Sequence, residues 1–289
     1  MTTVVTGTTH GIGRVTATEL ARAGHAVVML CRDAGAAGSL AAQIGARFPG
    51  ASVHVIACDL SELDSVRRAA AAVIERFGLI DRLILNAGMA ARTRLRTPAG
   101  IDMNFAVNHL GHFLLTELLR DRMARGGRII TVASLAHYRA TMDLDGVADP
   151  RERISLPGSY ARSKLANVMH SFALARQLEG SGVTANCLHP GIIASHLLPR
   201  WMLYVLGLVR GQLFDPARGA RTTLHLALAA DLGGANGLYF DEHVQPRQAS
   251  ALARDASLQD ELWRRSVRWT QEPEPSVRHA GGLPGEGPL

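Results

Sequence analysis

Thr6-Gly7-Thr8-Thr9-His10-Gly11-Ile12-Gly13 follows directly on the strand-like run Thr3 to Thr6 and leads into a helical stretch from Gly13 to Ala23. Glycines placed between a strand and a helix let the backbone approach a pyrophosphate closely, and the free N–H groups and positive dipole end of the helix favour that anion. A ligand-free glycine turn has the same composition, so the flanking strand and helix carry the dinucleotide reading. Gly7, Thr9, His10, Gly11, Ile12 and Gly13 are its candidate contacts.

Outward from this loop, short apolar strands alternate with helical stretches. Ala26 to Cys31, Val53 to Ala57, Leu83 to Leu85, Arg128 to Val132 and Val183 to Leu188 are strand-like, while Leu63 to Phe77, Phe105 to Met123 and Tyr160 to Leu178 are helix-like. Strands rich in Val and Ile without polar alternation suit a parallel sheet covered on both faces. The expected fold is an α/β doubly wound sheet with helices on both faces. The second expected strand ends at Cys31-Arg32-Asp33, where an adenosine ribose would lie. A carboxylate there accepts from the ribose 2′-OH and repels a 2′-phosphate, whereas Arg32 attracts one, with His10 as a second donor; NADP(H) is expected over NAD(H), unless Asp33 pairs with Arg32 at the surface.

The chain has 289 residues, 47% hydrophobic and 19% charged, enough for one large domain, expected over residues 1–272. The Pro/Gly/Glu-rich stretch 273–289 reads as a disordered tail. The opening residues enter a strand without a basic region, an apolar core or a cleavage site, so a cytoplasmic protein is expected. The longest apolar run, Trp201 to Val209, is shorter than the roughly twenty residues a bilayer requires. Cys31, Cys58 and Cys187 lack metal-ligand or disulfide spacing and read as buried thiols. His109 and His112 lie three apart, but no ligand is spaced to complete a metal site, so none is expected. The net charge is +6, yet the arginines are scattered and no nucleic-acid motif accompanies them; only Arg92, Arg94 and Arg96 cluster, as a solvated edge or a greeting for an anionic substrate.

Among 31 basic side chains there is one lysine, Lys164, four residues after Tyr160. On a helix, positions i and i+4 share a face, so phenol and ammonium can meet in one site. A compact ammonium where arginine serves everywhere else points to chemistry, since a neighbouring positive charge lowers a phenol pKa and makes the tyrosine a usable acid or base; a solvated Tyr/Lys pair on a helix surface is the alternative.

In these motifs the chain resembles the short-chain dehydrogenase/reductase family from residue 2 to about 272, and that resemblance implies a Rossmann-type single domain. Gly7 to Gly13 is similar to the family's glycine motif, Asp59-Leu60 to its adenine-contacting pair, and Asn86-Ala87-Gly88 to its NNAG element, with Leu85 in place of the first asparagine. Val107 to Phe113 (VNHLGHF), Ser134, Tyr160 to Lys164 and His189-Pro190-Gly191 follow in the family's order. Within the family, VNHLGHF, the Ser134–Tyr160 step and Leu258 to Trp263 look most like the retinol-dehydrogenase-like branch. The resemblance implies a tetrad of Asn108, Ser134, Tyr160 and Lys164, with Pro190, Gly191, Ile193 and Ser195 beside the nicotinamide; Ser195 stands where the family commonly has threonine. Tyr160 would exchange the proton, Ser134 would hold the substrate oxygen, Lys164 would bind the ribose and lower the tyrosine pKa, and the Asn108 backbone would anchor a water leading from Lys164 to solvent.

Ile192 to Phe214, rich in Leu, Trp and Val, is expected to form a lid over a small lipophilic substrate, or else to pack on a second copy of the chain in a homo-oligomer or lie on a membrane surface. The expected reaction is hydride transfer between NADP(H) and a carbonyl or alcohol. Carbon–carbon double-bond reduction by the same Tyr/Lys site and a catalytically idle NADP(H)-binding scaffold are the alternatives.

Overall fold

Val4 and Val5 show how the sheet organises the core: neighbouring residues of a strand face opposite sides, and each is fully buried in a different apolar layer. Val28 and Met29, Leu83 and Ile84, and Ile129 and Ile130 repeat this division on the adjoining strands. The computed structural model describes residues 1–149, 151–191, 215–232 and 234–271.

The strands are β1 (Thr2–Thr6), β2 (Ala26–Cys31), β3 (Val53–Ala57), β4 (Ile80–Leu85), β5 (Met123–Val132), β6 (Thr184–Leu188), β7 (Tyr239–Phe240) and β8 (Pro246–Arg247). They form one sheet in the order β3-β2-β1-β4-β5-β6-β7-β8. All neighbouring pairs are parallel except β7 with β8. On one face lie α1 (Gly11–Arg22), α2 (Ala34–Arg47) and, with Leu226 and Ala227, α6 (Pro216–Leu228). The other face carries α3 (Leu63–Phe77), α4 and α5 (Leu156–Gln177). Helix α4 is continuous but irregular, running through Met103–Phe105, a π-helical turn Ala106–Leu110 and Gly111–Leu119. Two C-terminal helices, α7 (Ala251–Arg254) and α8 (Ala256–Gln271), close a third apolar cluster against α4 and α5 through Phe105, Leu165, Met169, Ala253 and Leu262. The expected doubly wound α/β architecture is the observed one.

Several element boundaries differ from the sequence expectation. The helix expected from Phe105 to Met123 ends its α-helical part at Leu119 and passes through a 3-10 turn, Arg120–Arg122, while Met123 already opens β5. Gly126 at φ +80° and Gly127 lie inside this strand, and Ile80 to Arg82 shift register against it, so its first half does not read as strand locally. Helix α2 contains Gly35, Gly38 and Gly45, each a poor helix former, yet it buries Ala37, Leu40 and Ile44 against the sheet and is capped by Asp33, whose carboxylate accepts from the Ala36 N–H at 2.9 Å. Arg96 leaves the surface cluster expected with Arg92 and Arg94: it donates to the Gly100 carbonyl at 2.6 Å and lies 3.8 Å from Glu152. Glu152 in turn holds the fully buried Arg162 of α5, so this loop is braced from within.

The chain runs from β1 outward to β2 and β3, then returns to add β4 on the other side of β1. Between the carboxyl ends of β1 and β4 the connections diverge, which is where open α/β sheets hold their ligands. Thr6-Gly7 and Leu85-Asn86 meet there.

Candidate active site

The glycine loop is held by the strand next to it. The Asn86 amide donates to the Thr6 carbonyl at 2.9 Å and to the Gly7 carbonyl at 3.1 Å. A Cβ on Gly7, which has φ +70°, would fall 2.7 Å from the Ala87 Cα, and one on Gly13 would fall 2.1 Å from the Gly7 carbonyl oxygen. These two glycines therefore let β1, α1 and the Asn86-Ala87-Gly88 turn close on one another. Gly11, at φ +55°, is different: a Cβ there meets nothing within 4 Å, and the backbone faces open space. The first turn of α1 carries no acidic residue, and its N-cap residue, His10, makes no side-chain capping bond. Open space above N–H groups at a positive helix end fits a pyrophosphate. The Thr9 hydroxyl and His10 Nδ1 lie 2.9 Å apart beside it, and Ile12 is partly buried in the first turn.

Arg32 stands exposed just beyond β2. Its neighbour Asp33 caps α2 through Oδ1, which accepts from the Ala36 N–H. Behind them, the Cys31 thiol lies 2.9 Å from the Thr8 hydroxyl, joining the end of β2 to the glycine loop. Cys31, Cys58 and Cys187 are all buried free thiols, as expected. Past β3, Asp59 turns one carboxylate oxygen onto the Ser61 N–H and hydroxyl, and buried Leu60 sits against Gly111, where any Cβ would strike its carbonyl.

The four tetrad residues come from β5, α4 and α5. Ser134 follows β5 and serves as N-cap of a 3-10 turn, Leu135–Arg139, accepting from the Ala136 N–H at 3.2 Å; its hydroxyl is also near enough to the Tyr160 phenol to lower the phenol's pKa. Capping and a place beside the phenol are thus one position. The Lys164 ammonium is 4% exposed as a residue, lies 5.9 Å from the Tyr160 ring centre and donates to the Val132 carbonyl at 3.0 Å. Asn108, in the π turn, accepts from the Met89 N–H at 2.8 Å and donates to the Met89 carbonyl and the Ser163 hydroxyl, both at 2.9 Å. A Cβ on Gly88 would lie 3.2 Å from the ammonium and 3.4 Å from the Asn108 Oδ1, so the Gly88 backbone, the lysine and the amide converge.

Electrostatics depart from the expectation in one respect. Burial pushes the Tyr160 phenol above its ordinary value, and the neighbouring Ser134 hydroxyl only partly offsets this. Lys164 is itself lowered to about 8 by burial, since removal from water disfavours an ammonium. The Asn108 carbonyl, expected to anchor a water, has a protein partner: His112 Nδ1 at 3.0 Å.

Sequence reasoning did not find His137 and quoted His189 only as part of the His189-Pro190-Gly191 motif, assigning neither a bracing role. His137 Nε2 accepts from the Ser250 N–H at 3.3 Å, so the ring proton is on Nδ1, 2.8 Å from the Ser134 carbonyl that accepts it. His189 Nδ1 accepts from the Gly191 N–H at 3.2 Å, leaving Nε2–H to donate to Glu242 at 3.0 Å. That bond shapes the Pro190-Gly191 turn, in which Gly191 has φ +82°. Their partners, Ser250 and Glu242, are distant in sequence, so no local signal marked them. Ile193, Ser195 and the expected lid over 192–214 lie outside the described residues, as does the expected tail.

A family model described as short chain dehydrogenase matches residues 1–202. The chain belongs to that family. Among curated members of the short-chain dehydrogenase family it is 37% identical to human retinol dehydrogenase 13 over 287 residues, covering 96% of this chain and 86% of the relative. It is also 37% identical to mouse retinol dehydrogenase 12, over 90% of this chain and 83% of the relative. These place it in the retinol-dehydrogenase-like branch. A crystal structure of an uncharacterized protein from Mycobacterium Paratuberculosis has a TM-score of 0.77 and 33% identity, covering 95% of this chain and 94% of that one. A short chain dehydrogenase from Burkholderia cenocepacia J2315 in complex with NADP has a TM-score of 0.70 and 25% identity, covering 83% and 94%. The chain is therefore a short-chain dehydrogenase/reductase, an oxidoreductase of a family that uses nicotinamide cofactors. Among the described residues no helix is long and apolar enough to cross a membrane.

Proposed function

We propose that this short-chain dehydrogenase/reductase is NADP(H)-dependent and transfers hydride to or from a carbonyl or alcohol carbon of a lipophilic substrate. The observation that carries the reading is the Ser134–Tyr160 hydroxyl pair standing over the chain's only lysine. Bound nicotinamide supplies or accepts the hydride. Negative charge then develops on the substrate oxygen, which needs donors in place. Tyr160 gives that oxygen its proton in reduction and removes it in oxidation, and Ser134 holds the same oxygen within reach. Lys164 places a positive charge under the phenol and toward the cofactor side of the cleft.

Gly7 to Gly13 hold the pyrophosphate, Asp59 and Leu60 the adenine end, Asn86 to Gly88 the floor, and Pro190, Gly191, Ile193 and Ser195 the nicotinamide end. A lipophilic substrate is supported by Leu135 and Tyr138, exposed by 39% and 44% on the turn directly after Ser134. Placement in the cytoplasm belongs to the same proposal. The reaction is tested by following reduced-nicotinamide absorbance with lipophilic aldehydes, ketones and alcohols, identifying the products and including Tyr160→Phe. Turnover that survives Tyr160→Phe, or saturation of a double bond as the product, rejects the reading.

For the cofactor, Arg32 is offered to a 2′-phosphate while Asp33 is held by its helix. NADPH is expected to bind at least about tenfold more tightly than NADH, because a charge-assisted hydrogen bond contributes roughly 1.5 to 3 kcal/mol. Arg32→Asp should reverse the order in a calorimetric titration. Equal wild-type affinities would remove Arg32 from the site.

A further inference from the structure

His112 lies fully inside the protein, one helical turn after Asn108, with a ring nitrogen against each of two backbone-organising groups. The Thr6 hydroxyl accepts the Ala87 N–H and the Asn86 N–H, both at 2.9 Å, the latter shared with the Ile84 carbonyl at 3.1 Å, which engages both oxygen lone pairs. Its own proton must therefore leave toward an acceptor. His112 Nε2 stands at 2.9 Å, while the Ile84 carbonyl is at 3.5 Å. Nε2 is then the acceptor, and the single ring proton sits on Nδ1, 3.0 Å from the Asn108 carbonyl, which can only accept. One hydrogen-bond direction runs from the cofactor floor to the π turn: Asn86 and Ala87 N–H to Thr6, Thr6 O–H to His112, His112 Nδ1–H to Asn108. Burial reinforces the neutral ring by lowering its pKa to about 4, with the Lys164 charge adding to the effect.

We propose that His112 is a positioning residue, locked as the neutral Nδ1–H tautomer, that couples the Asn86-Ala87 cofactor floor to the Asn108 turn and so to the seat of Lys164. The coupling is physical because the Asn108 amide is pinned to Met89 and Ser163, and the Gly88 backbone leaves little space between that amide and the ammonium. Loss of the ring lets the π turn relax toward regular helix spacing. The seat of the ammonium then shifts, although no atom of His112 touches substrate or cofactor. This assignment rests on the function proposed above for Lys164.

Two amide substitutions separate the two ends of the ring. The shorter amide side chain introduced by His112→Asn reaches the Nδ1 position and restores the donor to the Asn108 carbonyl; the longer one introduced by His112→Gln reaches the Nε2 position and restores only the partner of Thr6.

The experiment measures kcat, cofactor KM and melting temperature for His112→Ala, His112→Gln and His112→Asn with NADPH and a lipophilic aldehyde. Expected are losses in kcat of about 10- to 100-fold for Ala and Gln, and recovery to within about threefold of wild type for Asn. A merely structural role predicts a different pattern, with activity tracking the folded fraction whichever end is restored. Equal kcat in the folded fraction of all three variants, or better recovery by Gln than by Asn, overturns the proposal. If the variants do not fold, nitrogen-15 NMR of the imidazoles in the wild-type protein decides: the His112 signals should show the Nδ1–H tautomer and move on titration with NADPH. An Nε2–H tautomer, or signals unmoved by saturating NADPH, overturns it. Wild-type protein that binds NADPH but turns over no carbonyl or alcohol defeats the proposed function instead, and leaves the tautomer and its response to NADPH as the separate test.

Discussion

Lys164→Arg is expected to lower kcat by roughly a hundredfold or more while keeping a positive charge at the site. The reason is space. The ammonium donates to the Val132 carbonyl at 3.0 Å, and a single carbon added at Gly88 would already stand 3.2 Å away. A planar guanidinium is wider than an ammonium and carries its nitrogens farther from the backbone, so it cannot take the same position beneath Tyr160. Charge behaviour also differs. Burial alone lowers Lys164 to about 8, so in the cofactor-free protein its charge fades as pH rises through that value, whereas an arginine stays protonated. The pH profile of cofactor binding should therefore lose its limb near pH 8 in the variant. Because the sequence has no other lysine, reductive methylation can reach only Lys164 and the chain terminus. Inactivation should follow modification of the internal site, and NADP(H) should slow it. A Lys164→Arg enzyme with wild-type kcat and an unchanged profile would make the lone lysine an accident of composition.

Acid should destabilise this protein well before its carboxylates titrate, because three imidazoles are buried without charge around α4: His109 and His170 between α4, α5 and α8, and His112 between α4 and β1. His109 and His170 lie 5.8 Å apart, and Phe113 and Trp263 stack around His170. His112 is on the same helix as His109. Burial lowers His112 to about 4 and His170 to about 3, and puts His109 well below its ordinary value. A histidine depressed in the folded state contributes stability that is fully present above the unfolded value of about 6.5 and is lost as pH falls toward the folded value. At pH 5 the unfolded chain binds nearly one proton at each ring, while folded His112 and His170 bind almost none. With His109 acting in the same direction, the loss is about 2 kcal/mol for each of these two, or about 4 together, as an upper figure for independent rings. That is a large part of the 5–15 kcal/mol by which domains are ordinarily stable. The melting temperature should fall steeply from pH 7 to pH 5. His170→Phe should make the slope shallower, since His170 Nε2 has no hydrogen-bond partner among the described residues and the site is already aromatic. A melting temperature that stays flat over this range would contradict the buried, uncharged state of the cluster.

The sequence determined what short-range chemistry can determine. A glycine loop between strand and helix, Val- and Ile-rich runs without polar alternation, and a tyrosine four residues before a lysine are local patterns, because backbone sterics and helix periodicity act within a few residues. They were enough for the doubly wound sheet, the glycine loop at its switch point and the pairing of Tyr160 with Lys164. Ser134 and Asn108 carry no such local mark, and only family resemblance singled them out. The tertiary structure decided the remainder. Whether Asp33 faces a ribose or caps a helix depends on α2, a segment whose glycines hide it and whose buried Ala37, Leu40 and Ile44 form it. The tuning of Tyr160 was expected from its charged neighbour, but burial by the surrounding elements dominates it. Thr6 and His112 are 106 residues apart, and His137 and Ser250 are 113 apart. A polar atom taken out of water must find a partner wherever the fold brings one, so the identity of that partner, and with it the tautomer of each histidine, exists only once the chain has packed.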